Sequence, residues 1–126
     1  MSVICLAAGL LLAPLGDAVT VRWTHSVQRT VWEEDYRLHD GALQLVSARV
    51  QGTGAGMEPP PEAVLRDGAW HYTPDLPALP VLHLRHSPYV PPYTLCTGGT
   101  CRTVPDWLPG LPGDAVLELR PCGAVR

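Results

Sequence analysis

Apolar and polar residues alternate along most of the chain in short runs, the period of a strand with one buried face. "AVTVRWTHSV", "TVWEEDYRL", "ALQLVSARV", "AVLRD", "AWHYT", "PVLHLRHS", "YTLC", "CRTV" and "AVLELRP" read as strands, separated by "DG", "PG" or proline-containing segments. Asp40-Gly41 and Asp67-Gly68 are hairpin turns, because glycine accepts positive φ and aspartate bonds to its own backbone. "VPDWLPGLPGD" has room for one helical turn, around Asp106 to Leu108. The expectation is an all-β domain spanning residues 1–126: a small antiparallel β-sandwich or partly open barrel with Pro/Gly-rich loops.

Pairing the first two long strands assigns their faces. If Val27 opposes Trp32, then His25 opposes Glu34, Trp23 opposes Tyr36 and Val21 opposes Leu38. Closing the next hairpin at Asp40-Gly41 sets Leu38 against Leu43, Tyr36 against Leu45, Glu34 against Ser47 and Trp32 against Arg49. One end of that face is apolar, whereas the other gathers His25, Glu34, Ser47 and Arg49 beside Trp32. A one-residue slip would invert it. Such a cluster is a hydrogen-bonded structural network, a ligand pocket, or a base with its orienting carboxylate. The catalytic version lacks a nucleophile other than Ser47, since Ser26 points away from His25. No catalytic residue is assigned, and a non-enzymatic role is preferred.

The second strand pair runs into "QGTGAGMEPPP". A dinucleotide fingerprint needs a helix there, which Glu58-Pro59-Pro60-Pro61 forbids. Gly54, Ala55 and Gly56 instead read as backbone passing close to a neighbour or to an anion, with Met57 as a wall. In "LHLRHSPY", Leu82, Leu84 and His86 share a face, which places His86 at the edge of the same pocket. His71, His83 and His86 show no metal-ligand spacing, so neither metal nor cofactor is expected.

Composition narrows the class. Fourteen prolines, twelve glycines and a charged fraction of 17% exclude a bundle of long helices. The net charge of −3, with nine arginines, no lysine and no basic run, argues against nucleic acid. Four cysteines permit three pairings. A hairpin at "CTGGTC" brings Cys96 to Cys101, and Cys5–Cys122 would then join the chain ends, which calls for an oxidising compartment. A four-thiolate zinc site and free thiols are the alternatives. "VICLAAGLLLAPLGDA" lacks a preceding Lys or Arg, so a signal peptide is not evident, and it is short for a membrane span. It reads as a first strand, about Val3 to Ala7, with a turn near "PLGD".

The stretches "WTHSV" (Trp23 to Val27), "WEE" (Trp32 to Glu34), "GTGAGMEPP" (Gly52 to Pro60) and "DGAW" (Asp67 to Trp70) resemble the DUF1850 family over nearly the whole chain. The motif positions are His25, Ser26, Glu34, Gly54, Ala55 and Gly56. The resemblance implies a periplasmic or otherwise extracytoplasmic protein, or a membrane-associated one. It also implies genes beside, or fused to, tripartite (TRAP) transporters with a solute receptor of the TAXI type. The functional expectation is an accessory module of such an uptake system, with a small organic anion held by His25, Glu34, Ser47, Arg49 and the Gly54–Met57 loop. The alternatives are a protein-interaction module contacting the receptor or the membrane subunits, its polar cluster purely structural, and a hydrolase.

Overall fold

The computed structural model describes residues 2–24, 30–51 and 60–123. Among these described residues, eleven strands and one helical turn follow in order. They are β1 (Val3–Ala8), β2 (Leu11–Gly16), β3 (Ala18–Thr24), β4 (Val31–His39), β5 (Ala42–Gln51), β6 (Val64–Arg66), β7 (Ala69–Tyr72), β8 (Leu82–His86), β9 (Thr94–Thr97), β10 (Thr100–Thr103), α1 (Val104–Trp107) and β11 (Ala115–Cys122). They form two antiparallel sheets, one of four strands in the order β2-β1-β11-β8 and one of seven in the order β10-β9-β3-β4-β5-β7-β6. The result is an open sandwich, as alternation predicts.

The core is where the two inner faces meet. Ile4 and Leu6 on β1 and Leu117 and Leu119 on β11 pack against Val19, Val21, Tyr36, Leu43, Leu45 and Leu95 of the large sheet. Val104 and Leu108 close one end, and the Trp107 indole N–H donates to the Leu95 carbonyl at 3.0 Å. On the large sheet and on β11 these side chains alternate with outward-facing ones, whereas β1 is buried on both faces from Ile4 to Ala7.

Turn chemistry works locally. Asp40 and Gly41 take φ of 51° and 77°, and Asp67 and Gly68 take 52° and 76°, the paired positive values of a two-residue hairpin whose twist matches its strands. Gly98 and Gly99 make the same kind of turn between β9 and β10, which sets Cys96 opposite Cys101. That pair is bridged, and Cys5 is bridged to Cys122 across β1 and β11. Pro14 lies on edge strand β2, where a missing N–H costs the ladder little.

The first segment differs from expectation in one respect. Its turn falls at Gly9-Leu10, with Ala8 opposite Leu11, and the chain runs on as β2 through Gly16. "PLGD" is instead the corner where the chain passes from the small sheet to the large one.

Candidate functional site

Two registers decide which groups meet. Between β3 and β4, Trp23 faces Trp32 and Val21 faces Glu34. This is a slip of four in summed residue number from the expected pairing. It leaves every described residue of the two strands on its expected face but sets Val21, not His25, opposite Glu34. His25, Gly54, Ala55, Gly56 and Met57 lie outside the described residues.

Between β4 and β5 the expected register holds from His39–Ala42 to Tyr36–Leu45 and then shifts, so that Asp35 faces Ser47, Glu34 faces Ala48 and Glu33 faces Arg49. Val46 is the extra residue of a β-bulge. Beyond it, Ser47 and Arg49 point away from the core while Ala48 and Val50 are buried. The expected Glu34–Ser47–Arg49 grouping is therefore corrected: Glu34 lies on the inner face, Ser47 and Arg49 on the outer one. The hydrophobic effect drives the switch, because Leu43, Leu45, Ala48 and Val50 can share one face only if a residue is inserted between them.

The outer face carries a polar cluster built from three neighbouring strands, β3, β4 and β5. Asp35 accepts hydrogen bonds from Thr20 (2.6 Å), Ser47 (2.5 Å) and the Arg49 Nη1 and Nη2 atoms (2.7 and 3.1 Å). Arg49 Nε donates to Glu33 at 3.0 Å, and Arg22 Nε donates to the other Glu33 oxygen at 2.7 Å. None of these residues came from the sequence reading except Ser47 and Arg49. The signal was present, since the apolar parity of "ALQLVSARV" changes between Leu45 and Ala48. Ser47 is committed to Asp35, so it is not poised as a nucleophile.

Charge and hydrogen bonding hold the cluster ionised. Burial opposes the Asp35 carboxylate, but the bonds from Arg49, Ser47 and Thr20 outweigh it and lower the pKa from 3.8 to about 2. Burial likewise opposes Glu33, and Arg22 and Arg49 overcome it, again lowering the pKa. Arg49 is pushed further up by its bonds to Asp35 and Glu33, against burial. A depressed carboxylate contributes stability that is complete above its unfolded pKa and lost as the pH falls through its folded one. Urea unfolding free energy should thus drop between pH about 4 and about 2, with roughly 1 kcal/mol due to Asp35 once solvent screening of this part-exposed group is allowed for. Asp35→Asn should remove that share of the slope, and an unchanged slope would contradict the assignment.

Shallow grooves flank this cluster. One, of about 690 Å³, runs past Thr20, Asp35, Arg37, Arg49 and the Gly98-Gly99 turn. The other, of about 560 Å³, lies toward Glu62, Arg66 and His71, and the two share Ser47 and Arg49.

The inner face holds a second arrangement around Glu34. Tyr36, 4% exposed, donates its hydroxyl to Glu34 at 2.9 Å. Burial first, and then the Glu34 charge, raise the pKa of Tyr36, Tyr72 and Tyr93. Trp23 and Trp32 stack with centroids 5.9 Å apart, and Tyr93 tilts against Trp23 at 5.9 Å. Thr30 Oγ1, Trp32 Nε1 and His86 Nδ1 are buried without a hydrogen-bond partner among the described residues. His86 lies opposite Ala115, on the inner side of the small sheet with Leu82 and Leu84, as the pattern of "LHLRH" predicts.

The described histidines do not gather. His71 sits opposite Arg49 and Val64 on the large sheet, and His83 reaches Glu118 at 3.5 Å on the small one. Among the described residues, no three His, Cys, Asp or Glu side chains are grouped to hold a metal ion.

A family model described as "Domain of unknown function (DUF1850)" matches residues 19–104. The chain belongs to the DUF1850 family. No curated protein and no solved structure matches it. The DUF1850 span takes in nearly all of the seven-stranded sheet, the outer cluster, the Glu34 group and β8. It omits β1, β2 and β11, three of the four strands of the opposing sheet. Those flanking strands supply Ile4, Leu6, Leu117 and Leu119, without which the inner face of the DUF1850 sheet would be exposed.

Proposed function

We propose that this DUF1850 domain is a non-catalytic, extracytoplasmic accessory module of a TRAP-type solute-uptake system, acting by contact with the TAXI-type receptor or the membrane subunits. One observation favours docking over an anion pocket at the polar cluster. Arg49, the cation such a pocket would need, spends its guanidinium on Asp35 and Glu33. A guanidinium already neutralised by two carboxylates has little field left for a small anion, whereas a polar sheet face over which none of the described residues forms a further layer suits a protein surface. Two disulfides support an oxidising compartment.

The test is binding of the purified, oxidised domain to the receptor of the same uptake system, and separately to the membrane subunits in nanodiscs. Arg37→Glu and Arg66→Glu reverse exposed charges beside the two grooves without touching the cluster. The proposal expects saturable binding to one of these partners, weakened at least about tenfold in the double variant. Binding to neither, or equal binding by the variant, contradicts it.

A further inference from the structure

A separate cleft of about 380 Å³ opens at the end of the sandwich, where β3, β8 and β9 come together. Trp23 and Thr24 line it from the end of β3 and Tyr93 from the residue before β9. Arg85 and Ser87 line it from the end of β8, and Val90 and Pro91 from the following loop. The volume is that of a small-molecule site, and the lining divides by chemistry. Trp23, Tyr93, Val90 and Pro91 form an apolar wall. Thr24, Ser87 and Arg85 supply polar groups, and Arg85 is the one charged residue of the lining.

The wall is fixed before anything enters. Trp23 lies against Trp32 with an interplanar angle of 13°, and Tyr93 braces it at 58°. The polar side retains donor capacity. Arg85 makes one ion pair, from Nη2 to Asp114 at 2.6 Å, and none of its other N–H groups is hydrogen-bonded among the described residues. The Ser87 hydroxyl oxygen accepts the Tyr89 N–H at 3.2 Å, which leaves its own O–H to donate. In contrast to Arg49, Arg85 is open to a ligand. Glu34 stands one cross-strand row farther in, behind Trp23 and Tyr93, since it pairs with Val21.

We infer that this cleft binds a small organic carboxylate with an apolar or aromatic body, its carboxylate on Arg85 and Ser87 and its body against Trp23 and Tyr93. A planar guanidinium matches a carboxylate with two parallel N–H bonds, and the aromatic wall gives the apolar part a preorganised surface. This does not rest on the docking proposal, since the cleft lies outside both grooves on the large sheet.

The experiment is a titration of the oxidised protein with benzoate, read by tryptophan fluorescence and confirmed by calorimetry, with benzylammonium as the cation of matching shape. Arg85→Gln and Ser87→Ala alter part-exposed or exposed positions and should leave the fold intact, checked by circular dichroism. Arg120→Gln, on the same sheet but outside the cleft, is the control. Saturable benzoate binding, weakened at least about tenfold by Arg85→Gln and unchanged within about twofold by Arg120→Gln, is the expected result. No saturable benzoate signal, equal loss in the Arg120 control, or tighter binding of benzylammonium would each overturn the inference.

Discussion

Replacing Cys5 and Cys122 together by alanine is expected to lower the unfolding free energy by about 4–5 kcal/mol, the largest effect of any pairwise change proposed for this chain. Their bridge spans a sequence separation of 117 residues, so removing it frees nearly the whole unfolded chain. Cys96 and Cys101 are separated by 5, for which the same loop-entropy relation gives about 2 kcal/mol. The long bridge also ties β1 to β11, the two central strands of the small sheet, which carry Ile4, Leu6, Leu117 and Leu119. For a domain of ordinary stability the first loss is a large fraction of the total. Guanidinium unfolding without reductant measures both, and equal losses for the two pairs would contradict the ordering.

Arg49→Met should cost about 2 kcal/mol, more than a surface ion pair and less than a fully buried one. The side chain donates three hydrogen bonds to two carboxylates, and its partners are only about a quarter exposed. Removing it leaves Asp35 and Glu33 facing each other across a part-buried surface. Asp35 keeps Thr20 and Ser47 as donors, and Glu33 keeps Arg22, which limits the loss. Arg49→Lys should recover only part of it, since an ammonium cannot reproduce the fork that engages both Asp35 oxygens. Full recovery by lysine would mean that charge alone matters there.

Local rules made most of the fold legible. Period-two alternation located β3 to β11, the two Asp-Gly pairs placed their hairpins, and "CTGGTC" placed the Cys96–Cys101 bridge. Where the reading departed from the structure, a weak local signal competed with a stronger tertiary one. Gly9-Leu10 turns in the middle of an apolar run, so no polar punctuation marked it. The β3–β4 register is set by burial and by the Trp23–Trp32 stack rather than by a short loop, and the pairing moved accordingly. The bulge at Val46 was the costly miss, because one inserted residue turns every side chain beyond it to the opposite face. Its effect was to separate Glu34 from Ser47 and Arg49, and to bring in Asp35, Glu33, Thr20 and Arg22, none of which alternation alone would have grouped.

Arg49 belongs to Asp35 on the outer face and not to Glu34 on the inner one. A pair of double-mutant cycles tests it directly, combining Arg49→Met with Asp35→Asn and, separately, with Glu34→Gln, each read by urea unfolding at pH 7. The bulged register predicts a coupling of about 1 kcal/mol or more between Arg49 and Asp35, and additivity within about 0.5 kcal/mol between Arg49 and Glu34. Strong coupling to Glu34 with none to Asp35 would restore the unbulged register, return Arg49 to the inner face, and remove the basis for treating the outer cluster as self-contained.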